Sequence, residues 1–174
     1  MIEVKITEEM KERAKKKSEE MGVIRNSIMS GDGNIAGFLG EEIANTILQG
    51  KISNTYDYDI ITGQDQWREA GDPDPVVTWD VKTKRCTSPP KKYYECSIAD
   101  FNTKQKCDNY AFVRIEFKND KPTGRAWFLG GYIKKNYFRD ARFLKKGDYD
   151  PDNNYTVKAD CYNLPINKLY QKEL

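Results

Sequence analysis

Residues 76–84, VVTWDVKTK, alternate so strictly that they dictate a strand with one greasy and one charged side. Val77, Trp79 and Val81 fall on one face, and Asp80, Lys82 and Lys84 on the other. Residues 56–62, YDYDIIT, alternate in the same way, with Asp57, Asp59 and Ile61 on one face and Tyr56, Tyr58 and Ile60 on the other. Residues 110–117, YAFVRIEF, are apolar enough for the centre of a sheet. Between these segments YYECSI reads as a third strand and ADFNTKQKCDN as a short helix. With a chain of 174 residues, long enough for one sizeable core, these elements belong to one α/β domain.

The segment TEEMKERAKKKSEEM, residues 7–21, opens on Thr7 and two acids and predicts a polar helix closed by Gly22. Its few apolar positions suggest a peripheral arm over residues 1–30, its lysines forming a solvated face, ahead of a single domain over 31–174. After the loop SGDGN, the spacing of Ile35, Phe38, Leu39, Ile43, Ile47 and Leu48 predicts a second helix that Gly50 ends. Farther on, AWFLGGYI reads as a strand, KKNYFRDARFLKKG as a helix, YTVKADCYNL as a last strand and PINKLYQKEL as a terminal helix begun by Pro165.

Several function classes are excluded outright, because the chain has no histidine. Histidine-based triads, HExxH zinc helices and imidazole acid/base schemes lack their central residue. Chemistry here must rest on carboxylates, lysines, hydroxyls, thiols or an oxygen-held metal. Charge is segregated: residues 1–80 carry nine Lys and Arg against sixteen Asp and Glu, and residues 81–174 carry twenty against eleven. An acidic half against a basic half suits a metal site beside a phosphate-binding surface. Cys86, Cys96, Cys107 and Cys161 have no CxxC spacing, which points to free thiols in a reducing cytoplasm. No apolar run approaches the roughly 18–20 residues that span a bilayer, and the first residues do not resemble a signal peptide. The expectation is a cytoplasmic protein with no membrane partner.

Glu41 on the second helix, Asp59 on the first strand and the Asp80-x-Lys82 pair on the second would meet at one sheet edge if the strands pair. Carboxylate oxygens hold Mg²⁺, and a lysine beside it can position a water and offset developing charge, which is the chemistry of phosphodiester hydrolysis. In this order GFLGEEIANTIL, YDYDII and WDVKTKR resemble the leading helix and the two acidic strands of the PD-(D/E)XK nuclease superfamily. The likeness runs from about Gly37 to Phe117. DVKTKRCTSPP, QKCDNYAFVRI, AWFLGGYI and KADCYNLPI further resemble small phage-encoded nuclease-like proteins.

The resemblance implies a restriction-endonuclease-like αβββαβ core, a central mixed sheet flanked by helices, with a strand and a helix added at the C-terminus. It implies Asp59 and Asp80 as metal ligands, Glu41 as a third, the Val81 carbonyl as a backbone ligand, Lys82 as the catalytic lysine and Mg²⁺ as the cofactor, with Mn²⁺ as substitute. Glu41 is preferred to Glu42 because it directly follows Gly40, and Asp59 to Asp57 because two isoleucines follow it, although a shared face leaves Asp57 as a substitute. Pro73 and Asp74 stand too close to Asp80 to supply a separate paired strand.

Lys84, Arg85, Lys91 and Lys92, with Tyr93 and Tyr94, are candidates for phosphate contact and base stacking, and Gln105 for a supporting or DNA-contacting role. The expected activity is Mg²⁺-dependent hydrolysis of DNA, in phage DNA processing or host DNA degradation and, for a phage protein, in the host cytoplasm. A homodimer cutting both strands is compatible with it. The competing expectation is a nuclease-fold module without activity that binds DNA or protein. A haloacid-dehalogenase-type reading of Asp57-x-Asp59 fails, because Ile61 stands where that pattern wants Thr or Val.

Overall fold

The computed structural model describes residues 1–21, 32–53, 55–63, 76–151 and 154–171. In chain order the elements are β1 (Ile2–Lys5), α1 (Glu8–Met21), α2 (Asp32–Leu48), β2 (Lys51–Ile52), β3 (Ile60–Thr62), β4 (Val77–Cys86), β5 (Glu95–Ala99), β6 (Asn109–Lys118), β7 (Lys121–Ile133), α3 (Lys134–Asp140), β8 (Arg142–Leu144), β9 (Tyr149–Asp150), β10 (Tyr155–Thr156) and β11 (Cys161–Pro165). Single 3₁₀ turns follow β5 and β11. The fold is α/β.

The alternating segment at 76–84 becomes β4, inside a six-stranded mixed sheet of order β1-β7-β6-β4-β3-β2. β4 and β6 run parallel, and the other neighbours are antiparallel. The apolar face predicted for β4 is buried: Val77 and Trp79 pack with Val113, Ile115 and Phe128 under Leu39, Ile43 and Ile47 of α2. Trp79 satisfies its buried indole by donating to Thr62 Oγ1 at 2.9 Å. On the opposite face Tyr110, Phe112, Trp127 and Leu129 meet Tyr137 of α3, Cys96 and Ile98 of β5, and Leu164 of β11. There β5, β11 and β8 form a second, three-stranded sheet, and β9 pairs with β10 as a separate ribbon.

Glu8–Met21 are helical, as expected for this segment, but they are not a peripheral arm. Met10 and Ala14, one helical turn apart, join the main core, and β1 pairs with β7 at the sheet edge. Two local corrections concern α2. It already begins at Asp32, inside the expected loop, and its left-handed terminal residue is Gln49 (φ 56°), not Gly50. Gly50 is required for another reason, since a Cβ there would lie 2.5 Å from the Ile61 carbonyl oxygen.

Five further expectations change. YYECSI does form a strand, but β5 leaves the central sheet for the second one, and the three-strand run beside α2 is completed by β2 instead. The predicted helix at 99–109 is one 3₁₀ turn, Asp100–Asn102. The helix expected over 134–147 stops at Asp140, because Arg142–Leu144 pairs with β11. Pro165 closes β11 opposite Glu95 and starts no α-helix; only Ile166–Lys168 coils, as 3₁₀. The expected strand at 155–164 is split between β10 and β11. Gly22, most of the acidic connection with Asp65, Glu69, Asp72 and Asp74, and residues 172–174 lie outside the described residues. Among the described residues no helix is long and apolar enough to cross a membrane.

Candidate active site

Strand periodicity puts Asp80 and Lys82 on the same face of β4, away from α2's apolar stripe. The Lys82 ammonium lies 2.6 Å from Asp80 Oδ2 and donates to Gln105 Oε1 at 2.9 Å. Asp80 is 3% exposed, and beyond this ion pair its buried Oδ2 receives no hydrogen bond among the described residues. Lys82 also sits 5.8 Å from the centre of the Tyr110 ring.

Asp59 stands just before β3, not within it, and its backbone N–H donates to the Trp79 carbonyl at 2.8 Å. Continuing the Ile60–Trp79 register by one step sets Asp59 opposite Asp80. Here the strand pairing ends, and the Asp59 side chain replaces it: Oδ2 accepts the Val81 N–H at 2.7 Å. In a strand the N–H and C=O of one residue point to the same side, so the Val81 carbonyl also faces the Asp59 side of β4.

Glu41 arrives from α2, which crosses β4 closely because Gly40 has no side chain. Lys17 of α1 holds the Glu41 carboxylate at 2.5 Å, while Glu42 turns outward to Arg13 at 2.8 Å. Glu41, Asp59 and Asp80 feel one another's charge. Burial, then Glu41, then Asp80 push the Asp59 carboxyl up to about 8. Burial likewise raises Glu41, with Lys17 opposing, and Asp80, with Lys82 opposing.

Buried carboxylate oxygens that repel one another match the donor chemistry of a hard divalent cation such as Mg²⁺ or Mn²⁺. Among the described residues no three His, Cys, Asp or Glu side chains stand as a ready-made cation cage. Glu41 is instead engaged by Lys17, and Asp59 by the Val81 amide.

The structure sorts the remaining candidates. Gln105 comes to the site and braces Lys82, while its own carbonyl accepts from Lys134. Asp57 is committed elsewhere, accepting the Lys106 N–H at 3.0 Å. Lys84 lines a cleft that also takes in Lys82. Arg85 turns away, its guanidinium 4.4 Å from the Phe117 ring centre and 3.9 Å from Asp120. Lys91 and Lys92 lie in the exposed turn ahead of β5, outside the cleft lining, so the expected continuous basic segment is dispersed. Burial pushes the Cys96 and Cys107 thiols up to about 12, which leaves both protonated and unreactive at neutral pH.

Two residues that touch the site were missed by sequence reasoning. Lys17 follows Met10 and Ala14 at helical spacing, so the docked stripe of α1 was its available signal. Lys134 had none, since its approach to Gln105 depends on where β7 ends.

The cleft beside Lys82, about 780 Å³, separates Lys82 and Lys84 of β4 and Arg114 of β6 from the second sheet and the β9–β10 ribbon. Comparison of the chain with protein-family models and with curated proteins returns no match in either case.

Proposed function

We propose that the chain is a metal-dependent nuclease that hydrolyses DNA phosphodiester bonds, built on a restriction-endonuclease-like core. The observation that carries this reading is the buried Asp80–Lys82 pair on β4, with the Asp59 carboxyl beside it and the charge of Glu41, from α2, acting on both acids. Further support is the run α2-β2-β3-β4 followed by a crossover to β6, parallel to β4, although a 3₁₀ turn and a strand stand where the αβββαβ pattern has its second helix.

Asp59, Asp80, Glu41 and the Val81 carbonyl would hold Mg²⁺ or Mn²⁺. When bound, the cation neutralises the carboxylates, draws charge from the scissile phosphate and acidifies water. Lys82 Nζ, steadied by Asp80 and Gln105, has a further N–H with which to orient the attacking water and to meet the negative charge that builds on phosphate oxygens. Lys17 neutralises Glu41 until the cation competes for it.

The test is incubation of purified protein with supercoiled, linear duplex and single-stranded DNA in Mg²⁺ or Mn²⁺, with and without chelator. Chelator-sensitive cleavage that Lys82→Ala abolishes is the expected result. Intact DNA under all these conditions would overturn it. The second reading, a nuclease-fold module that binds without cutting, is favoured by the lack of a ready-made cation cage among the described residues. Mn²⁺ titration separates the two, since that module requires no metal.

A further inference from the structure

We propose that the cleft between the central and second sheets receives a single unpaired DNA strand, so that the substrate is a single-stranded end or stretch and not intact duplex. The inference rests on the nuclease reading above and specifies its substrate. Lys82 lines the cleft, so a strand lying there passes the lysine that is paired with Asp80.

The walls carry the chemistry of single-strand recognition, cations tracking phosphates beside aromatic rings. The parallel register sets Lys84 against Arg114 on one wall, and Lys158 lines the cleft as well. The cleft's two acids, Glu95 and Asp150, are already bridged by Arg142 at 2.9 and 3.0 Å, so the cations dominate its field. Tyr94 and Tyr155 supply rings, the first with the Arg114 guanidinium 5.3 Å from its centre.

An independent sign of a ligand is Asn163, 7% exposed and on the lining. Its Nδ2 donates to Glu95 at 3.0 Å, which fixes the amide's orientation, and its buried Oδ1 has no donor among the described residues. A base amino group or sugar hydroxyl would satisfy it. Size points the same way: the volume falls within the roughly 300–1,000 Å³ range that buries a small ligand, suited to a nucleotide or two and not to a duplex.

The test is fluorescence polarisation with Ca²⁺ in place of Mg²⁺, using the full chain and labelled oligothymidylate or a blunt duplex of equal length. The oligothymidylate is expected to bind about tenfold tighter or better, and Lys84→Glu with Lys158→Glu to cost it about tenfold or more. Both lysines are exposed, so the fold should survive, which a thermal melt verifies. Asn163→Leu is expected to weaken binding about fivefold, and Lys91→Glu with Lys92→Glu to have the smaller effect. Equal or tighter binding of duplex, or a double reversal in the cleft with no effect, would overturn the inference. DNA cleavage indifferent to that reversal removes the cleft and leaves the nuclease reading standing. Cleft-dependent strand binding without any cleavage does the opposite.

Discussion

Gly40 of α2 and Thr83 of β4 approach so closely that a Cβ on residue 40 would lie 1.8 Å from the Thr83 hydroxyl oxygen. This contact lets the helix settle on the strand with Glu41 within electrostatic reach of Asp59 and Asp80. Gly37, one turn earlier, has nothing within 4 Å of a built Cβ. The two glycines of the Gly-x-x-Gly-Glu pattern are therefore not equivalent.

Gly40→Ala should force α2 away from β4, costing about 1–3 kcal/mol and weakening Mn²⁺ binding as Glu41 moves. Gly37→Ala should be neutral or gain up to about 1 kcal/mol, as expected for a helix interior. Urea titration of both variants checks the contrast. Equal effects would mean that the helix does not rest on this contact.

Asp80→Asn removes the partner of Lys82 and the charge proposed to hold the metal, so Mn²⁺ affinity should fall steeply. Lys82→Ala should keep the metal and lose the chemistry. Calorimetric titration beside a cleavage assay separates them, and unchanged affinity in Asp80→Asn would place the metal elsewhere. Gln105→Ala should reduce turnover more than metal affinity, because it holds Lys82 and contributes no ligand.

Lys17→Ala strips Glu41 of its countercharge. The metal-free protein should lose about 1–3 kcal/mol, because a buried carboxylate is left unpaired. Mn²⁺ should bind more tightly than to wild type, since a competing cation is gone. Affinity unchanged by this substitution would remove Glu41 from the ligand set.

Asp59 titrates near 3.8 in the unfolded chain and near 8 in the fold. Between those values the native state keeps a proton that the unfolded state has released, so metal-free stability should fall as pH rises from about 4 to 8. Mg²⁺ displaces that proton, and should raise the melting temperature most at pH 8 and above and least near pH 5. Thermal melts across this range, with chelator or Mg²⁺, measure it. A Mg²⁺ effect independent of pH would show that Asp59 is not a ligand.

The residues that meet at the site were legible in the sequence because each has a local signature. Asp80 and Lys82 ride on alternation, Glu41 on the helical stripe beside Gly40, and Asp59 on the isoleucines that lead into β3. What the sequence hid is non-local. The alternation of YYECSI announces a strand, yet the choice of β11 over β4 as its neighbour is made more than sixty residues away. The helix expected beyond Asp140 yields to Arg142–Leu144, which pair with β11, and Arg142 there bridges Glu95 and Asp150. Pro165 suits a helix start and a strand end equally well, and only its pairing with Glu95 decides.

The parallel step from β4 to β6 also carries a consequence for the order of assembly. Every strand of the central sheet has been synthesised once Ile133 is made, and with them Glu41, Asp59, Asp80 and Lys82. β5 is made before then, but its neighbour β11 starts only at Cys161. During synthesis the carboxylates can gather first, while the wall facing Lys82 waits on the last long-range pairing, the slowest kind to close. A chain released short of Cys161 would display the polar side of β4 as an open shelf.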